Sequence, residues 1–244
     1  VEGPQAVREL ARFRPGAVRD VYVREDAWDT HADVVEAARR ATRWVHPVTN
    51  EVSAVLSRDS QGVCAVASLD ALVRELPEPS VGETLVVLAQ GRDPGNVGTI
   101  IRTADAFGAS GVITVAGTVE ATNPKVVRAS AGSVFHVPVC VVPSFEEVRF
   151  LVHGRGAALL GTSGGAGSVD LAQMLVQGVS TRSRLSQSHA WVFGNEATGL
   201  SGAQMRLCDA LVSIPMSGDA ESLNVASAAT ACLFASQTVR GMAL

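Results

Sequence analysis

The chain has 244 residues, 47% of them hydrophobic and 18% charged, with a formal net charge of −4 and a pI near 5.7. This composition excludes a disordered chain and supplies a sizeable core for one large or two modest domains. The acidic balance runs against the basic footprint of most nucleic-acid readers, yet Lys125 is the only lysine among 20 basic residues, and the arginine fork suits phosphate.

Residues 1–76 read as a small α/β unit. "PQAVRELARF" has helical spacing, and "VRDVYVRE" alternates like a strand. "DTHADVVEAARRA" opens on an Asp cap and continues as a helix. "TRWVHPV" is strand-like, "NEVSAVLS" is a short capped helix, and "QGVCAVASL" is β-rich. The bridge "LPEPSVGE" holds two prolines and a glycine, so residues 77–83 form a linker.

From residue 84 to residue 244 strands and helices alternate. The apolar runs "TLVVLAQ", "GVITVAG", "GAALLGTS", "HAWVFGN" and "ALVSIP" are separated by helical stretches such as "GNVGTIIRTADAFG", "NPKVVRASAG", "SFEEVRFLV" and "SGAQMRL". The last helix lies in "ESLNVASAATACLFASQTVRG", with Asp219 or Ser222 as its expected cap. Alternation of this kind predicts a mostly parallel sheet with helices on both faces. Ligands of such sheets bind beyond the carboxyl ends of the strands, and those ends carry "GRDPGN", "GTSGG", "GNEATGLS" and "PMSGDAESLN". The segment of residues 164–189 is the least regular, small and polar at both ends with a short amphipathic piece between, and reads as a mobile loop near the site or a plain surface insertion.

Several chemistries fit poorly. Gly91, Gly95 and Gly98 lack the G-x-G-x-x-G spacing of a dinucleotide fold, and "GTSGGAGS" lacks the lysine of a P-loop. Tight turns account for most of these glycines. Cys64, Cys140, Cys208 and Cys232 are far apart and read as free thiols in a reducing compartment. The histidines show no ligand spacing, so no metal site is expected. No apolar run reaches the roughly 20 residues of a membrane span, and "VEGPQAVREL" shows no signal-peptide pattern. A cytoplasmic protein is the expectation.

One helix is unusual. Pro94 suits a first helical turn, Asn96 lies beside the free amides there, and Arg102 follows about 120° around the helix among Ile100, Ile101, Ala104 and Phe107. An arginine among apolar neighbours either snorkels to solvent or holds a phosphate or carboxylate. From spacing alone, Asn224 is a capping or helix-packing residue.

"NVGTIIRTADAFG", "FGNEATGLS" and "IPMSGDAESLNVASAA" resemble, in order, the three signature motifs of the SpoU/TrmH family. These are RNA ribose 2′-O-methyltransferases of the SPOUT class. The N-terminal unit, with "EGPQAVREL" and "SQGVCAVAS", is similar to the substrate-binding domain of bacterial members. The resemblance implies S-adenosylmethionine as cofactor, a homodimer, a C-terminal trefoil knot over residues 84–244 and an RNA-binding domain over residues 1–76. It assigns catalytic roles to Arg102, Asn96, Glu196, Ser222 and Asn224. It places the cofactor against Gly194, Ile214 and Leu223, with Asn195, Pro215 and Met216 beside them and Thr162, Ser163 and Gly164 as another wall. Ribosomal RNA is the expected substrate, with transfer RNA or a non-catalytic RNA-binding role as alternatives.

Overall fold

The computed structural model describes residues 1–165, 167–180 and 184–242. The N-terminal part contains α1 (Pro4–Phe13), β1 (Val18–Arg24), α2 (Ala32–Ala41), β2 (Val45–Val48), α3 (Asn50–Leu56) and β3 (Val63–Ala67). Its sheet has the order β2-β1-β3, with β1 parallel to β2 and antiparallel to β3. Alternation along β1 buries Val21 and Val23 against the face that α1 and α2 cover. Tyr22, opposite His46 on β2, points to the other face. The expected Asp cap of α2 is not formed. The chain is already turning from Glu25 through residue 31, and His31 is the capping residue, through its backbone only.

A second sheet of seven strands follows: β4 (Thr84–Leu88), β5 (Gly111–Val115), β6 (Val139–Val142), β7 (Ala158–Thr162), β8 (Val169–Asp170), β9 (His189–Phe193) and β10 (Ala210–Ser213), in the order β6-β5-β4-β9-β7-β10-β8. Every described pairing in it is parallel. Its helices are α4 (Pro94–Ala106), α5 (Pro124–Ala129), α6 (Phe145–Gly154), α7 (Leu171–Ser180), α8 (Gly202–Leu207) and α9 (Val225–Met242). Strand β4 is buried at every position, as a central parallel strand must be. Its Val86 and Leu88 face the core layer that holds residues of α4, α5, α7 and α9. Leu85 and Val87 face the layer of α6 and α8. The short strand β6, behind Pro138, lies outside the expected set.

The segment of residues 164–189 is more regular than its composition suggested. Ala166 and residues 181–183 lie outside the described residues. The rest contains β8, paired with β10, and α7, which packs on α9 with Leu171 and Met174 buried. The amphipathic piece is α7; the small polar residues at both ends made the whole read as a loop.

The two sheets share one buried cluster, which runs from Leu10, Val21 and Val63 through Val126 and Phe135 to Val86 and Leu88. Gly132 lies at the junction with φ +94°, where a Cβ would fall 2.6 Å from Glu9 Cβ. Arg14 Nε donates to the Phe135 carbonyl at 3.0 Å, and His136 Nδ1 lies 2.8 Å from an Asp105 carboxylate oxygen. Glu83, at the end of the expected linker, is buried and takes a bidentate pair from Arg155 at 2.8 and 2.7 Å. Beneath the sheet, His189 Nε2 and Trp191 Nε1 both lie 2.8 Å from Ser236 Oγ. Among the described residues, no helix is long and apolar enough to cross a membrane, and no group of three or more His, Cys, Asp or Glu could hold a metal ion.

Candidate active site

Strands β9, β7 and β10 are neighbours, so their carboxyl ends deliver Gly194, Thr162 and Ile214 to one place. A cavity of about 350 Å³ lies there. Its floor is apolar, with Phe193, Leu200, Met205 and Val212. Thr162 is held by its hydroxyl, which donates to the Val192 carbonyl at 2.9 Å.

The loop after β9 folds back on itself. Asn195 and Gly199 exchange backbone hydrogen bonds of 3.0 and 2.8 Å, and Asn195 Oδ1 accepts from the amides of Ala197 and Thr198. A Cβ on Gly194 would lie 2.2 Å from the Gly199 carbonyl carbon, so only glycine allows this close approach. The irregular segment after β10 forms the facing wall with Ile214, Met216, Glu221, Ser222 and Leu223. Among the described residues, the lining includes the carboxylates Glu196 and Glu221 and no Lys, Arg or His.

A polar cluster sits at the rim. Asp93 caps α4, its carboxylate accepting from the Asn96 amide at 2.8 Å, with Pro94 in the first turn. This fixes Asn96 at the helix mouth. The Asn224 Nδ2 donates to Asn96 Oδ1 at 3.0 Å. Asn224 Oδ1 accepts from the amides of Ala226 and Ser227 at 2.8 and 3.4 Å, so Asn224 caps α9. The expected cap at Asp219 or Ser222 is thus replaced, because residues 214–224 run without helix up to Asn224. Glu196 Oε1 completes the cluster with long 3.5 Å contacts to Asn96 Nδ2 and the Asp93 amide.

Of the residues singled out from sequence, Thr162, Ser163, Gly164, Gly194, Asn195, Glu196, Ile214, Met216, Ser222 and Leu223 line the cavity, and Pro215 does not. Asn96 and Asn224 join it through Glu196. Arg102 stands apart, about 9 Å further along α4 from Asn96. It is exposed and makes no hydrogen bond or ion pair among the described residues. Sequence reasoning missed Asp93, although the Asp-Pro pair is a helix-start signal. It also missed Met205, whose sulfur lies 3.8 Å from Ser163 Oγ. No local pattern marks Met205, which arrives through the packing of α8.

The chain matches the SpoU rRNA Methylase family over residues 83–234. It is 34% identical to the 23S rRNA (guanosine-2′-O-)-methyltransferase RlmB of Bordetella pertussis, an alignment covering 96% of this chain and 94% of that protein. The SpoU methyltransferase AviRb from Streptomyces viridochromogenes superposes with a TM-score of 0.78 at 30% identity, over 98% of this chain and 88% of the other. An AdoMet-bound rRNA methyltransferase from Sinorhizobium meliloti gives 0.75 at 30% identity, over 97% and 85%. The motif-bearing strand ends thus meet at one cavity in a fold and sequence shared with these proteins, and the chain belongs to the SpoU rRNA methylase family.

Proposed function

We propose that this protein methylates a ribose 2′-hydroxyl of ribosomal RNA, with S-adenosylmethionine as methyl donor. The observation that carries the reading is the link Asn224–Asn96–Glu196, which ties three separate strand ends to the rim of one cavity. The family and the rRNA-modifying relatives support the same conclusion.

The cavity fits the cofactor on three counts. Its volume of about 350 Å³ lies within the range of small-ligand sites. Its apolar residues suit a purine and its backbone loop suits hydrogen bonding. Two carboxylates without a cation in the lining suit a positively charged ligand and oppose a polyphosphate. Gly194, Ile214 and Leu223 would hold the adenosyl part, with Asn195, Pro215 and Met216 beside them and Thr162, Ser163 and Gly164 on the opposite wall. When bound, the cofactor supplies a methyl group on a sulfonium, an electrophile with a neutral leaving group.

The protein's own task is the weakly acidic ribose hydroxyl. Asn96 and Asn224 fix each other's carboxamides and would orient the ribose, and alignment of this kind supplies about 7–11 kcal/mol of barrier lowering. Ser222 and Glu196 would complete the polar rim. Arg102 is a poor base because guanidinium stays protonated. Its exposed, unpaired fork would instead grip the neighbouring phosphate, whose oxygen takes the hydroxyl proton.

The wider reading has further parts. A homodimer is supported by Phe234 of α9, which is 55% exposed and stands edge-on to Phe107 at 6.3 Å. A trefoil knot over residues 84–244 is supported by membership of the family. Residues 1–76 would grip RNA, residues 77–83 would join the two parts, and the cytoplasm is where ribosomal RNA would be met.

The test is methyl incorporation into ribosomal RNA, with a substrate carrying a single 2′-deoxy nucleotide at the mapped target. The deoxy substrate should bind and accept no methyl, and the normal product should resist alkaline cleavage at one linkage. A base-methylated nucleoside in the digest, or methylation of the deoxy substrate, overturns the ribose assignment.

A further inference from the structure

We propose that the three-stranded sheet carries a stacking platform for unpaired RNA bases, built from Tyr22, Trp44 and His46 and flanked by Arg43. The proposal rests on the reading that the substrate is RNA, and it identifies which surface of residues 1–76 takes hold of it.

Parallel pairing of β1 with β2 sets Tyr22 opposite His46, and Trp44 lies two residues before His46 on the same side. The three rings form a row. Tyr22 and His46 have centroids 5.1 Å apart with planes at 25°, and Trp44 and His46 are 6.3 Å apart at 17°. The row is open to solvent, with Trp44 51% exposed. A tryptophan half exposed in an aromatic row at a sheet edge leaves much of its apolar surface uncovered.

Charge tells what would cover it. The Arg43 guanidinium lies 4.8 Å from the Trp44 ring centroid, and Arg43 has no acidic partner among the described residues. His46 Nε2 sits 2.9 Å from Asp20, and Arg24 is paired with Asp26, so the nearby acids are already engaged. Arg39 and Arg40 end α2 on the opposite face, where Arg40 pairs with Glu36 and Arg39 lies over Trp28, so they do not belong to the row. Flat rings beside an arginine without an acidic partner match unpaired bases and a phosphate: every base has a π-face, and stacking is tolerant of sequence. A chain of net charge −4 has no general field with which to attract RNA, so a local combination of stacking and an arginine is what its surface offers. We assign the Trp44 end of the row to a base, with Arg43 on the adjoining phosphate.

The test uses the full chain and two labelled probes, an oligouridylate and a base-paired hairpin of equal length. Binding to the oligouridylate should be the tighter. Trp44→Ala and Tyr22→Ala should weaken it at least tenfold, while Trp44→Phe retains most of it, and Arg43→Ala should lower the salt dependence by about one phosphate contact. S-adenosylhomocysteine affinity should be the same in all variants. Unchanged oligouridylate binding in Trp44→Ala, with methyl transfer intact in the wild type, overturns the platform and leaves the proposed function standing. A change in sedimentation on Trp44→Ala without a change in RNA binding makes this face a contact between copies and also overturns it. Trp44-dependent binding in a protein that transfers no methyl upholds the platform and overturns the proposed function.

Discussion

Asn224 serves two elements at once: its Nδ2 donates to Asn96 Oδ1 at 3.0 Å, and its Oδ1 accepts the first free amides of α9. One carboxamide therefore starts the last helix and pins the mouth of α4. Asn224→Ala should lose both. Loss of the cap should cost about 1 kcal/mol in a denaturant melt, and methyl transfer should fall well over tenfold. Asn96→Ala should lose transfer with a smaller stability cost, since its amide bond to Asp93 remains. The double variant should be less than additive in activity, because the two side chains form one contact.

Arg102→Ala should abolish transfer and leave cofactor affinity unchanged, because Arg102 is not part of the cavity lining. Calorimetry with S-adenosylhomocysteine beside a tritium-methyl assay checks both halves. Activity within about tenfold of wild type, a loss of only ~1.4 kcal/mol, would remove Arg102 from the reaction.

Gly194→Ala places a methyl group 2.2 Å from the Gly199 backbone, and backbone cannot step aside cheaply. The loop after β9 should be displaced and cofactor binding should disappear in calorimetry. Gly164→Ala, where nothing lies within 4 Å of the added carbon, should bind nearly as the wild type does.

How much of this was legible beforehand depends on how locally each feature is encoded. The strand ends that carry Asn96, Glu196 and Asn224 could be read directly, because Gly-, Asn- and Ser-rich turns after apolar runs are written in consecutive residues. Spacing left Asn224 as a capping or helix-packing residue and set the expected cap at Asp219 or Ser222, so the cap itself was misplaced. The pairing of Asn224 with Asn96 did not follow from spacing, since it joins residues 128 apart in the chain. Glu83 closed a Pro-rich bridge that read as a linker; its burial depends on Arg155, which arrives from the far end of α6. The amphipathic piece that forms α7 was visible, but the small polar residues flanking it also occur in loops and made the whole segment read as one.

The Glu83–Arg155 pair is a sensitive point of the fold. Its side chains are 0% and 8% exposed. Removing one partner by Glu83→Ala or Arg155→Ala should cost about 3–5 kcal/mol, because the other charge is left buried alone. Replacing both with apolar residues of similar volume should cost far less. Urea titrations of the three variants test the difference.

Acid should loosen the protein through His189. Burial pushes its pKa down to about 4 from an ordinary 6.5, so the folded chain holds it neutral while the unfolded chain protonates it. Stability from this group is therefore full above pH 6.5 and is lost as pH falls towards 4, by about 3 kcal/mol in all. Melting temperatures across that window should decline, and His189→Asn should flatten the decline while lowering stability at neutral pH.

The shared core at Gly132 and Glu9 has a consequence for target choice. Because α1 is seated against the turn at Gly132 with no room for even one extra carbon, the aromatic row on the first sheet and the cavity of the second keep a set separation. An RNA engaged at both points is measured as by a pair of fixed callipers. If both proposals hold, the nucleotide that receives the methyl should be selected by its distance, through the folded RNA, from an accessible single-stranded stretch. Inserting or deleting a base pair between those two features should move the methyl to a different residue or abolish it, whatever bases lie at the target itself.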